Sequence, residues 1–178
     1  MIIGIGGIPA SGKTSLMRLL KSKMGKSKTF KFGKLSGEYY TNDVFLLGIY
    51  DKELFSGTDR LSMAVQPDAV KFIKYLEENK TNYTIIFEGD RLYNGKFIDE
   101  IIKTKYKLYI LTAKEEIVEK RHINRQDTQS STFKKSRYTK VNNLISKYGS
   151  KITLLENNTK SDQHKNLELL WQDLKSMK

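Results

Sequence analysis

The sequence predicts an α/β fold, a parallel sheet of about five strands flanked by helices, with a β-hairpin insertion. Three observations predict it. The apolar run Ile2-Ile3-Gly4-Ile5 passes directly into a glycine-punctuated loop, and Leu16, Leu19 and Leu20 then recur at helical spacing, so the chain opens strand–loop–helix. Short apolar runs continue to alternate with amphipathic segments to the end of the chain. With 178 residues, only two Pro, no Ser/Gly-rich tract and no internal repeat, nothing marks a linker, and residues 1–178 read as one domain.

The elements follow in order. From Thr29 to Tyr50 the β-prone residues Phe30, Phe32, Tyr39, Tyr40, Val44 and Phe45 are broken by Thr41-Asn42-Asp43, which predicts a strand and then a hairpin with that polar tip. Tyr39, Tyr40 and Phe45 fit sheet or core packing, with stacking on a base as the alternative. The stretch Gly57 to Met63 is irregular and polar. Ala69, Phe72, Ile73 and Leu76 then mark one face of a helix with Pro67 near its start. The run Tyr83 to Asp90 is short, apolar and ends in acids, as suits a central parallel strand whose carboxyl end faces a site. Phe97, Ile98, Ile101 and Ile102 predict another helix, and YKLYILT the next strand. Lys114 to about Gln126 reads as helix, and after a polar break at Asp127 to Thr132 a further helix carries Val141, Leu144, Ile145 and Tyr148. KITLLEN is the last strand, and Leu167, Leu170, Trp171 and Leu174 are the buried face of the closing helix.

The loop GIPASGKT fits G-x-x-x-x-G-K-[ST], with Gly7, Gly12, Lys13 and Thr14 in the fixed places. Glycines let the backbone turn tightly with its N–H groups inward, and the following helix adds the positive end of its dipole. Lys13 is then a point charge for the β- and γ-phosphates of a nucleotide, and the Thr14 hydroxyl is one ligand for Mg²⁺. A bare Gly-rich turn would require neither the Lys nor the Thr.

The net charge of +12 suggests a polyanionic partner or simply a basic proteome. Between Lys120 and Lys140 the cations Lys120, Arg121, Arg125, Lys134, Lys135, Arg137 and Lys140 face the single acid Asp127, so half of the chain's excess charge lies in this segment. The absence of cysteine excludes disulfides and thiolate metal sites and accords with a reducing cytoplasm. A strand predicted from residue 2 leaves no room for a signal peptide, and no apolar run approaches the roughly 20 residues that span a bilayer. A soluble cytoplasmic protein without a membrane partner is therefore expected.

Taken together, the loop and first helix, the acid-ended strand IIFEGDR, the strand and helix LYILTAKEEIVEKRHINR, and the last strand followed by NNTK resemble the P-loop kinases of nucleosides and nucleotides. More narrowly, GTDRLSMAVQPDA, FEGDRL and DTQSSTFKKSRYTKVNNLI are similar to bacteriophage kinases that phosphorylate 5-hydroxymethyluracil within DNA. The resemblance implies in-line transfer of the ATP γ-phosphoryl group to an acceptor oxygen, with ATP and Mg²⁺ as cofactors, DNA as the substrate and the host cytoplasm as its place of action. It implies ATP contacts from Gly7, Ala10, Ser11, Gly12, Lys13, Thr14, Ser15 and Asn157. Arg121 and Arg125, four apart on one helix face, match the arginines of an Arg-rich lid over about 114–140. Glu88 and Asp90 match carboxylates kept for Mg²⁺-bound water or the acceptor hydroxyl, with Thr14 and Glu88 on the metal side. Asp90, after the flexible Gly89, is expected to project toward the γ-phosphate as the base. Asp59, Arg60, Arg91 and Arg137 are the candidates for holding the acceptor.

Other readings stay open at this point. A free deoxynucleoside monophosphate kinase needs the same loop and lid but no extended basic surface. A P-loop ATPase or GTPase coupled to binding is disfavoured because no Asn-Lys-x-Asp signature is present and the acid strand ends Phe-Glu-Gly-Asp rather than in adjacent Asp-Glu.

Overall fold

The computed structural model describes residues 1–51, 56–124 and 129–176. Among them the strands form one sheet in the order β2-β3-β4-β5-β1-β6-β7, where β1 is Ile2–Gly7, β2 Lys28–Phe32, β3 Leu35–Tyr40, β4 Val44–Leu47, β5 Thr84–Glu88, β6 Tyr106–Thr112 and β7 Ile152–Glu156. The strands β4, β5, β1, β6 and β7 are parallel, which matches the expected number of about five, although β4 was expected only as an arm of the hairpin. The sheet is nonetheless larger, because β2 and β3 extend its edge as antiparallel neighbours. The tip between β3 and β4 is Thr41-Asn42-Asp43, with Asn42 and Asp43 at φ 61° and 54°, a left-handed conformation that short polar side chains tolerate.

The helices are α1 (Lys13–Met24), α2 (Gln66–Asn79), α3 (Gly95–Ile101), α4 (Glu115–Asn124), α5 (Ser131–Tyr148) and α6 (Lys160–Lys175). They cover both faces. On one side α2, α3 and α5 bury Ala69, Phe72, Phe97, Ile98, Val141 and Leu144 against Phe45, Ile85, Phe87 and Ile110. On the other, α1 and α6 bury Leu16, Leu20, Leu167 and Leu170 against Ile3, Ile5, Leu46 and Ile86. Residues alternate between faces along each strand, so a strand apolar at nearly every position needs cover on both. The hairpin aromatics settle as packing: Phe45 makes ring contacts with Phe30, Tyr39 and Phe72, and Tyr40 is buried against the α1–α6 face. The segment after β4 folds back, with Gly57 bridged to Ile49 and a 3-10 turn at Thr58–Arg60. Parallel order therefore delivers the ends of β1, β4, β5 and β6 to one rim of the sheet.

Candidate phosphate-loop site

The loop at that rim has the geometry its glycines predict. Gly12 takes φ 99°, and a Cβ there would meet the Asn157 side-chain nitrogen at 2.3 Å. Helix α1 starts at Lys13 with no side-chain cap and no acid in its first turn, so its N–H groups face the loop interior. The Lys13 amine curls over the loop, donating to the carbonyls of Gly7 (2.8 Å) and Ile8 (3.0 Å). Ser11 is fully buried and its hydroxyl has no hydrogen-bond partner among the described residues.

The outer wall is held from a distance in sequence. Arg121 on α4 donates to the carbonyls of Ala10 and Ser11, both at 3.2 Å, and to that of Asn157 at 2.8 Å. The Asn157 side chain in turn donates to the Ser11 carbonyl at 2.7 Å, and its own oxygen is buried without a partner. In this structure the guanidinium of Arg121, expected as a lid arginine, fastens the backbone of the phosphate loop to the β7–α6 junction. Arg125 lies outside the described residues.

The acceptor side begins at Glu88, the last residue of β5. Glu88 is 1% exposed, accepts from the Thr14 hydroxyl at 3.3 Å, and its main-chain carbonyl accepts from the Thr58 hydroxyl at 2.8 Å. Gly57 sits against it at φ 80°, where a Cβ would lie 2.5 Å from Glu88 Oε1. Burial pushes the Glu88 carboxyl up to about 7, opposed by the Lys13 charge and the Thr14 hydrogen bond and reinforced by Asp59 and Asp90. Asp59 accepts from the Arg91 backbone N–H at 3.0 Å, and the Arg91 guanidinium donates to the Asp59 carbonyl at 3.2 Å. Desolvation by the surrounding loops and the charge of Asp90 raise the Asp59 carboxyl, which keeps one side open to solvent.

Asp90 does not project freely, as the sequence reading expected. One oxygen pairs with Arg137 at 2.8 Å and the other with Lys140 at 3.5 Å, and Lys140 also donates to the Asp90 carbonyl. Arg137 lies over the Phe133 ring at 4.6 Å. One guanidinium nitrogen of Arg60 donates to both carboxylate oxygens of Asp51, at 3.0 and 3.1 Å, and among the described residues no bond to its neighbour Asp59 forms. Asp51, Thr58 and Lys140 also meet these residues although none was named as a site residue from the sequence: no motif marks Asp51, while Thr58 and Lys140 lie inside the segments GTDRLSMAVQPDA and DTQSSTFKKSRYTKVNNLI without standing out there.

The donor set fits Mg²⁺. Among the described residues no group of three His, Asp or Glu side chains gathers to hold a metal. A nucleotide-bound Mg²⁺, however, draws most of its ligands from phosphate and water and needs only a hydroxyl and a nearby carboxylate from the protein. Thr14 and the buried Glu88, whose charge Lys13 and Thr14 offset only in part, are such a pair. Among the described residues no helix is long and apolar enough to cross a membrane.

The family model described as P-loop Nucleotide Kinase3 matches residues 1–157. No curated protein matches. Among solved structures, a deoxyadenosine kinase from M. mycoides with bound dATP is similar at 14% identity, over 98% of this chain and 100% of that one, with a TM-score of 0.46. A shikimate kinase from Bacteroides thetaiotaomicron is similar at 12% identity, over 98% of each chain, with a TM-score of 0.45.

Proposed function

The chain belongs to the P-loop nucleotide kinase family and is a phosphotransferase, and from that premise we propose that it moves the γ-phosphoryl group of ATP, bound with Mg²⁺, to a hydroxyl on a nucleotide unit of DNA. The motif resemblance narrows the acceptor to the hydroxymethyl group of 5-hydroxymethyluracil. One observation carries the preference for a hydroxyl over a phosphate: the three arginines named as candidates for holding the acceptor are each engaged within the protein. Asp51 holds Arg60, the Asp59 carbonyl holds the Arg91 guanidinium, and Asp90 holds Arg137. A dianionic acceptor would have to displace these partners and approach Glu88, Asp59 and Asp90 against like charge.

In this reading Asp59 is the base. It has an open side, its raised carboxyl is better matched to proton removal, and Asp90 is already neutralised by two cations of α5. The acceptor O–H gives its proton to Asp59 as its oxygen bonds to Pγ. The bond from Pγ to the β–γ bridging oxygen breaks, and ADP leaves. Lys13, released from the loop carbonyls, neutralises charge on the transferring group, while Arg121 and Asn157 keep the loop rigid. Thr14 and Glu88 are the residues that would hold Mg²⁺, which would supply further charge neutralisation. Asp90 positions α5, whose Lys134 and Lys135 offer contacts to DNA phosphates. In duplex DNA the modified base has to leave the stack to reach the rim.

The test is incubation with γ-labelled ATP and a panel of hydroxymethyluracil DNA, ordinary DNA, RNA, free nucleosides and monophosphates. Label is expected in hydroxymethyluracil DNA. Efficient labelling of a free monophosphate, with hydroxymethyluracil DNA unlabelled, would replace this acceptor by the monophosphate.

A further inference from the structure

We propose that the protein carries a second small-molecule site, for a pyrimidine base or nucleoside, in a cavity at the amino ends of β4 and β5, opposite the phosphate-loop rim. The cavity has a volume of about 120 Å³ and lies between the sheet and the last turns of α1 and α6. An apolar cavity of about 150 Å³ accepts benzene, so the space suits one six-membered ring and is too small for a fused purine pair of rings.

Its chemistry is mixed in a way that a leftover packing void is not. Tyr40 and Trp171 are aromatic walls, and Val44 and Leu174 add aliphatic contact. Thr84 also lines it, and its hydroxyl makes no hydrogen bond among the described residues without being a buried orphan, so it is open to pair with a ligand in the cavity. Asn42 and Asn82 stand at the mouth, and neither amide makes a side-chain hydrogen bond among the described residues. An amide presents a donor beside an acceptor, which matches the N3–H and C4 carbonyl edge of uracil or thymine. Aromatic walls, one hydroxyl and two amides at the rim together select a planar ring with an alternating polar edge over a plain hydrocarbon.

Trp171 is the only tryptophan, so its emission reports on the cavity in the intact protein. Full-length protein is titrated with uracil, thymine, deoxyuridine and thymidine, with benzene as the hydrocarbon control, and repeated with ATP saturating the phosphate loop. The expected result is a saturable change with the pyrimidines that ATP does not abolish. Thr84→Val should weaken it roughly tenfold, the scale of one hydrogen bond. Leu174→Phe, which fills the space, should remove it while γ-phosphoryl transfer stays unchanged. No saturable response to any pyrimidine at millimolar concentration overturns the proposal, and this wild-type titration decides even where a variant fails to fold. A response unaltered in both folded variants places the ligand elsewhere and overturns it too. Equal binding of benzene with no effect of Thr84→Val reduces the site to an apolar void.

Discussion

Glu88→Gln isolates the electrostatics of the site. Glu88 is 1% exposed, and its carboxyl is raised from an ordinary 4.5 to about 7, by burial first. A rise of that size corresponds to about 3 kcal/mol of penalty on the charged form in the native protein. Because the folded value lies above the unfolded one, the group is protonated in both states below about pH 4.5 and imposes no penalty there. As pH climbs toward about 7 the unfolded chain loses this proton first and the native state is progressively disfavoured, with the full penalty above that window. Glu88→Gln, isosteric and uncharged, should therefore stabilise the unliganded protein by up to about 3 kcal/mol near pH 8 and be neutral near pH 4. Binding of Mg·ATP favours the carboxylate, so at pH 7 it should release about half a proton, and the variant should release none from this position. Urea unfolding across pH tests the first statement, and calorimetry in buffers of different ionisation enthalpy the second. A Glu88→Gln protein no more stable than the parent at pH 8 refutes an only partly offset charge at Glu88. Equal proton release by both proteins refutes the role of Glu88 beside the metal.

Four further outcomes are expected. Lys13→Ala should lower turnover by at least about 10²-fold while the far-ultraviolet spectrum and melting temperature stay near those of the parent, since the amine contacts only loop carbonyls; near-parental turnover in a folded variant removes the loop lysine from the mechanism. Asp59→Asn should cost on the order of 10²-fold or more in turnover with ATP affinity little changed, whereas Asp90→Asn should cost less and chiefly raise the KM for the acceptor; the reverse ranking in steady-state kinetics restores Asp90 as the base. Arg121→Ala should raise the KM for ATP about tenfold, and Arg121→Lys should recover little of it because one ammonium cannot reach three carbonyls as a planar fork does; an unchanged KM would show that the loop keeps its shape unaided. For DNA binding followed by anisotropy, Lys134→Ala and Lys135→Ala should each reduce the salt slope by about one, and a flat salt response in the parent would favour a free nucleotide as acceptor.

The parts of the molecule legible in its sequence are those where physics fixes residue type at fixed spacing. The phosphate loop is one, because a backbone cradle needs Gly7 and Gly12 and a charge needs Lys13. The helices are another, as Ala69, Phe72, Ile73 and Leu76 on α2 show, since a buried stripe enforces its own period. The edge strands β2 and β3 were readable as strands, but their place in the main sheet depends on pairing partners that no local pattern encodes.

Charge pairing was the least legible feature, for the same reason. Asp59 and Arg60 are adjacent in sequence, as are Asp90 and Arg91, yet neither side-chain pair forms. Consecutive residues in a turn point apart, and each finds its partner on a segment the sheet order brings alongside: Arg60 with Asp51, the backbone N–H of Arg91 with Asp59, and Asp90 with Arg137 and Lys140 of α5. That redistribution decides the chemistry. Three carboxylates reach one rim in different surroundings: two cations of α5 meet Asp90, Glu88 is buried beside the Thr14 hydroxyl, and Asp59 accepts from a backbone N–H. In the proposed reaction Glu88, shut away from water, suits a place beside the metal, and Asp90, neutralised twice, ties α5 to the rim. Asp59 keeps its open side and its raised affinity for a proton, and is the carboxylate we propose for the acceptor.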